Sequence, residues 1–180
     1  TRRLACNCAF SLRRHVGVQG RSRGHPATLE TKSMVLVEQI LDRAKARLVK
    51  ISPDAPVLDA ATLFRDGAEM VLACRESGRL AGIITKSDLM RSFVQSGRLD
   101  LAVPVASVMQ KEIVSCEPAD KLEQVWQVLS QNSFRHLPVE DQNGCAIGVV
   151  NARDILGGLL REAESEEELL KEYVMGVGYR

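Results

Sequence analysis

A pattern spanning Val49 to Met90 returns between Val114 and Leu156, offset by 65 residues and by 66 after one insertion. Val49 falls on Val114, Pro53 on Pro118, Leu72 on Leu137, Gly78 on Gly144, Gly82 on Gly148 and Asp88 on Asp154. Between these anchors apolar positions meet apolar positions: Val57 with Leu122, Leu63 with Val128, Ile83 with Val149, Ile84 with Val150 and Leu89 with Ile155. A duplicated supersecondary unit cannot bury its apolar face alone and stacks on its neighbour. Two copies facing each other enclose a cleft, and a cleft is where function is expected.

The 180 residues have room for one ordinary domain, or for two small units sharing a core. An apolar fraction of 45% and a charged fraction of 26% are those of a globular chain. The net charge of +1 gives no global reason to expect nucleic acid or a membrane surface as partner. Cys6, Cys8, Cys74, Cys116 and Cys145 are odd in number and lack a disulfide-scaffold spacing, so they read mostly as reduced thiols. The charge is unevenly placed. No acidic residue precedes Glu30, while Arg2, Arg3, Arg13, Arg14, Arg21 and Arg23 are basic. An Arg-rich, acid-poor start has the composition of an organellar transit peptide, with a plain basic tail as the alternative. Glu162, Glu164, Glu166, Glu167, Glu168 and Glu172 crowd the other end as a solvated helix face.

Each copy reads strand, helix, strand, strand, helix. Val49 and Ile51 give a short strand ended by Ser52-Pro53, and Pro56 suits the first turn of a helix. In the second copy Asp120 and Glu123 resemble a capping box at the same place. Val57, Ala60, Ala61 and Phe64, and then Leu122, Val125, Trp126 and Leu129, recur at helical spacing. Met70–Cys74 is an apolar run fit for a buried strand, and Arg135–Val139 is its counterpart. Asn143-Gly144 signals a tight hairpin. Leu80–Ile84 and Ala146–Val150 return as strands, with helices opening near Asp88 and Asp154. Val35–Leu41 and Val103–Met109 are matching apolar segments leading into the two copies. Gly157-Gly158 inside a helix permits a close helix approach, of the kind a dimer face would use. Ser165-x-x-Glu168 can cap a separate last helix. The expected domains are a basic tail over 1–33, copies over 34–93 and 105–161 joined by a linker over 94–104, and an acidic helix and tail over 162–180.

These residues resemble the cystathionine-β-synthase-type (CBS) domain pair, or Bateman module. The resemblance rests on Ser52-Pro53-Asp54, Leu58-Asp59-Ala60-Ala61 and Leu80–Met90 in the first copy, and on Phe134–Val139 and Ile147–Ile155 in the second. It covers roughly residues 35 to 161, and the two motifs in register, twice, are specific where either alone is weak. The ending Leu170-Lys-Glu-Tyr-Val-Met-Gly is similar to that of stand-alone CBS-pair proteins of α-proteobacteria and plant mitochondria. The resemblance implies an α/β (α+β) fold of tandem β-α-β-β-α repeats with pseudo-two-fold symmetry, plus a C-terminal helix. It implies a homodimer that binds AMP, ADP, ATP or S-adenosylmethionine as a regulatory ligand, with no obligatory cofactor. With the tail it implies a mitochondrial matrix location, plastid and cytoplasm being the alternatives.

Thr85-Lys-Ser-Asp88 follows a strand and opens a helix. A carboxylate there can accept hydrogen bonds from vicinal ribose hydroxyls, and the helix-start amides favour a phosphate. Thr-x-x-Asp is equally a capping box that needs no ligand. The family pattern assigns Thr85 and Asp88 to ribose and phosphate. The second copy offers Asn151-Ala-Arg-Asp154: Asp154 can still hold a ribose, while Asn151 replaces the hydroxyl, so one competent and one weakened site are expected. Arg135 and His136 occupy strand positions that in the family point toward ligand phosphates, and the forked donors of Arg suit a phosphate. Lys86 and Arg153 are secondary candidates, with surface charge as the simpler reading. Cys116 and Cys145 near strand starts are candidate redox-sensitive thiols. No catalytic pairing is recognisable and no metal site is expected, so the chain reads as a regulatory module and not an enzyme. The alternative is a ligand-independent interaction module modulating a metabolic enzyme or a thioredoxin-type redox partner.

Overall fold

The structure, a computed structural model, describes residues 35–98 and 100–176, with side chains described to Tyr173. The basic N-terminal stretch, with Cys6 and Cys8, lies outside these residues. The elements are α1 (Leu41–Ala46), β1 (Lys50–Ile51), α2 (Val57–Arg65), β2 (Met70–Cys74), β3 (Leu80–Thr85), α3 (Lys86–Ser96), α4 (Leu122–Asn132), β4 (His136–Glu140), β5 (Ala146–Asn151) and α5 (Ala152–Gly176). The first copy forms a sheet in the order β1-β2-β3, with β1 parallel to β2 and β2 antiparallel to β3. In the second, β4 and β5 pair antiparallel, and the counterpart of β1 shrinks to one parallel bridge between Cys116 and Val139. The expected mixed α/β repeat is thus present.

The two segments leading into the copies are exchanged. Residues 35–40 precede the first copy but bond to the second: Val37 N donates to Asp120 O, Glu38 N to Pro118 O, and Leu122 N to Val35 O, each at 2.9 Å. Residues 103–106 precede the second copy but bond to the first: Val105 N donates to Ala55 O and Ala106 N to Pro53 O at 2.8 Å, and Val57 N to Val103 O at 2.9 Å. The six bonds correspond pair by pair under the repeat. Side chains follow the backbone. Val37, Ile40 and Ala44 are buried with Leu122, Val125, Leu129, Leu137, Val139 and Ile155, whereas Val105 is buried with Val57, Ala60, Phe64, Val71 and Ile84. A third cluster, Met70, Leu72 and Cys74 with Ala146 and Val149, joins the two sheets.

This exchange explains the paired glycines. A Cβ on Gly148 would lie 2.9 Å from Ala44 Cβ and 3.1 Å from the Ala44 carbonyl carbon. A Cβ on Gly82 would run into Met109 and lie 3.0 Å from Gln110 O. Each glycine lets the exchanged segment cross its strand at backbone distance.

Several local expectations change. Pro56 is the N-cap of α2 and not its first helical residue. Asp120 and Glu123 form no capping box: α4 starts at Leu122, its first turn held by the Val35 carbonyl, and Asp120 Oδ2 accepts the Glu117 N–H at 2.8 Å. Asn143-Gly144 does not make a two-residue turn, because of these two only Gly144 has positive φ; the Asp141 N–H donates to Cys145 O, closing a longer loop with a bulge. Backbone amides of Cys145 and Asn143 hold the Asp141 carboxyl below the usual range there. Ser165 caps nothing, since α5 runs unbroken from Ala152 and needs no new start. The close approach at Gly158 is internal: a Cβ there would lie 2.5 Å from Leu122 Cδ1.

Gly148→Ala is expected to lower stability by about 1–3 kcal/mol through overpacking against Ala44. Gly157→Ala meets only ordinary contact at Arg161 and should gain about 0.5–1 kcal/mol from helix propensity. Urea unfolding midpoints of the two variants should move in opposite directions.

Candidate functional site

Thr85 ends β3 and is the N-cap of α3. Asp88, at the third helical position, is 2% exposed and closes a capping box with it. Asp88 Oδ2 accepts the Thr85 N–H at 2.8 Å and the Thr85 hydroxyl at 2.6 Å. Asp88 Oδ1 accepts Arg91 at 2.9 Å and Gln110 Nε2 at 2.7 Å. The carboxylate is therefore satisfied by four donors, one of them brought by the exchanged segment. A buried carboxylate requires such partners.

Thr85 lies in a cleft of about 760 Å³ between the copies. Lys86, Ser87, Arg91, Gln110 and Glu112 line it with Thr85, facing Val114 and residues 133–138 of the second copy. Ser133 ends α4 in the left-handed region, at φ 54°, and turns the chain into Phe134, Arg135 and His136. Arg135 is exposed. His136 is half-buried, and its Nε2 lies 2.5 Å from Glu69 Oε2, which joins the two copies across the cleft. Thr85, Arg135 and His136 are thus brought to one place. Asp88 stands behind it, and Arg91 and Gln110 stand between Asp88 and the open space.

Asn151 and Asp154 occupy the pseudo-equivalent place in the second copy. Asn151 Oδ1 accepts the Asp154 N–H at 2.8 Å, so it works as a helix cap. Asp154 is 6% exposed. Arg47 makes an ion pair with its Oδ2 without a hydrogen bond to that oxygen, and Arg43 stands 3.7 Å from Oδ1. Arg153 is exposed and, unlike Lys86, does not line the first cleft.

The open cleft can hold a ligand with a polar edge. Helix-start amides of α3, the Thr85 and Ser87 hydroxyls, Lys86 and Arg135 suit an anion, and Ile83, Val114, Phe134 and Leu137 supply apolar surface. Sequence reading missed Glu69, Arg91, Gln110 and Glu112 here, and Arg43 and Arg47 at the other site. Arg91, three residues after Asp88, was readable from helical spacing. Arg47 falls on Glu112 at the repeat offset, a signal present in the alignment of the copies. Gln110 has no local signal, because only the exchange brings it to Asp88.

Among the described residues no group of three or more metal-binding side chains converges, and no helix is long and apolar enough to cross a membrane. Cys116 does not fit the expectation of a redox-sensitive thiol: it is buried, and burial pushes its thiol well above the usual range. Burial raises Cys74 in the same direction. Cys145 is half-buried, with its thiol 3.6 Å from Ser77 O. In the native protein Cys145 should alkylate at least about tenfold faster than Cys116. Peptide-resolved mass spectrometry of an iodoacetamide time course checks this, and equal rates would contradict the burial assigned to Cys116.

A family model described as the CBS domain matches residues 37–95 and 105–161. The mitochondrial CBS domain-containing protein CBSX3 of Arabidopsis thaliana is 32% identical over 131 residues, 70% of this chain and 63% of that protein. The chain thus spans somewhat less than two thirds of that relative. The crystal structure of a CBS-domain containing protein from Agrobacterium tumefaciens superposes with a TM-score of 0.59 at 28% identity, over 68% of this chain and 98% of that one. The CBS domain pair of protein MJ0100, solved with 5′-methylthioadenosine and S-adenosyl-L-methionine, shares the fold with a TM-score of 0.58 at 20% identity, over 67% of this chain and 92% of that one.

Proposed function

We propose, from the premise that the chain belongs to the CBS-domain family, that it is a regulatory module and not an enzyme, and that its first cleft binds an adenosine derivative. AMP, ADP, ATP and S-adenosylmethionine are the candidate ligands. The observation that carries this reading is the open cleft of about 760 Å³ lined by Thr85, Lys86, Arg135 and His136, with buried Asp88 directly behind it. The adenine lies against Val114 and Phe134, and the phosphate or other charged group lies at Lys86 and Arg135. A ribose hydroxyl takes the place of the Gln110 amide on Asp88 Oδ1. That exchange replaces one neutral donor by another, so the buried carboxylate keeps its partners. The MJ0100 pair, with its adenosine-derived ligands, supports the choice of ligand class.

Titration calorimetry with AMP, ATP, NAD and S-adenosylmethionine tests this. One of them should bind, and at a hundred times its Kd it should stabilise the protein by about 2.7 kcal/mol. Asp88→Asn should weaken binding at least tenfold, or about 1.4 kcal/mol. Neither heat nor a melting shift with any of the four would sink the reading.

The completeness of the Asp88 capping box, which holds without a ligand, favours one second reading: a ligand-independent interaction module acting on a metabolic enzyme or a thioredoxin-type redox partner. Partner capture that is equal for wild type, Asp88→Ala and Asp154→Ala would favour it.

The homodimer belongs to the same proposal. Met90 and Val94 on α3 and Leu156 and Leu160 on α5 are exposed, and each pair is related by the offset of 66. Two matched apolar ridges on one chain suit a two-fold partner. Val94→Glu with Leu160→Glu should convert a dimer to a monomer in sedimentation equilibrium; a wild-type monomer removes the proposal. A mitochondrial matrix location is proposed from the plant relative and the basic N-terminal composition.

A further inference from the structure

The two pseudo-equivalent aspartates are held by unlike partners. At Asp88 the exchanged segment contributes the neutral Gln110 amide, and Glu112, two residues on, lines the open cleft. At Asp154 the corresponding part of the other exchanged segment contributes Arg47, at the position matching Glu112. Asp154 is 6% exposed, and its Oδ2 has the Arg47 ion pair and no hydrogen bond. Arg47 is itself anchored, donating to the Arg43 carbonyl one turn earlier in the chain at 3.2 Å. Asn151 points its amide oxygen at the Asp154 N–H and so serves the helix.

A ribose hydroxyl can replace the neutral Gln110 amide on Asp88 Oδ1 while the Arg91 ion pair stays in place. At Asp154 the same hydroxyl would have to displace a cation from a buried carboxylate, and a neutral group does not compensate that charge. Asn151 caps the helix through its amide oxygen and offers the Asp154 carboxylate no donor like the Thr85 hydroxyl on Asp88, so the two differences act together.

We propose that Arg47 acts as an internal lock on the second cleft, so that each chain takes one nucleotide, in the first cleft alone. This rests on the nucleotide reading above. Arg47 stands where a second ligand's ribose would lie, whereas the matching residue at the first cleft, Glu112, brings no cation to Asp88.

Titration of the full chain with AMP as the probe tests the lock. Wild type should take one equivalent, Arg47→Gln two, and Arg47→Gln combined with Asp88→Asn one. A folded Arg47→Gln protein, judged by cooperative melting, that gains no equivalent over wild type overturns the proposal. Wild type taking two equivalents does the same. Wild type taking none while Arg47→Gln takes one keeps the lock and sinks the first-cleft reading. Should Arg47→Gln not fold, Glu112→Arg at an exposed position carries the test: it should lower AMP affinity at least tenfold, and unchanged affinity overturns the lock.

Discussion

The backbone hydrogen bonds of the exchanged leading segments hold the rest of the structure in place. Each copy lacks the apolar strip that covers its own helix and sheet, and it receives that strip from the segment preceding the other copy. Val37 and Ile40 are buried against the second copy and Val105 against the first. A unit folded alone would leave that face in water, and burying a Val or Ile side chain contributes about 1.5–3 kcal/mol. Two short sheets, one of only two strands, therefore form one cooperative body. A two-stranded hairpin by itself is marginal.

The same exchange writes the chemistry of the clefts. Residues at and around each crossing point fall near the aspartate of the copy they cover. One segment delivers Gln110 and Glu112, the other Arg43 and Arg47. The strand–helix motif that holds each aspartate is nearly the same in both copies, and its differences stay local: Thr85 and Asn151 both cap a helix start. Divergence thus lies in the segments as well as in the motif, where Arg91 on Asp88 falls on Gly157 and the Thr85 hydroxyl on Asn151. A duplicated fold can change the occupancy of one site this way while leaving its scaffold untouched.

The elements and their order were legible because period-2 and period-3.6 patterns recur twice, and coincidence of the two copies filters out chance matches. The strands read over Met70–Cys74 and Ala146–Val150 are found, the second one residue longer, and the helices read as opening near Asp88 and Asp154 start two residues earlier, at Lys86 and Ala152. What was not legible depended on long-range backbone contacts. The start of α4 is set by the Val35 carbonyl and not by Asp120, and Gly158 faces Leu122 of its own chain. At the site, Thr85, Arg135 and His136 could be named from their motifs. Gln110 and Arg47 could not be placed, since no local rule says that a leading segment belongs to the opposite copy. Glu69, which no sequence motif marks, meets His136 where the sheets stack through Met70, Leu72 and Val149.

A module of this kind transmits a signal only if the ligand has different affinities for two arrangements. The shared core argues against large relative rotation of the copies, because their exchanged segments would have to break backbone bonds. Motion is instead open to groups at the cleft margin: Gln110, Arg91, and the Glu69–His136 contact that spans the copies. Arg91 lies on α3, next to the exposed Met90 and three residues before the exposed Val94. A ligand that rearranges the donors on Asp88 therefore acts on the helix whose outer face is free for a partner. Asp154, paired to Arg47 and near Arg43, has no neutral donor of this kind among its described partners.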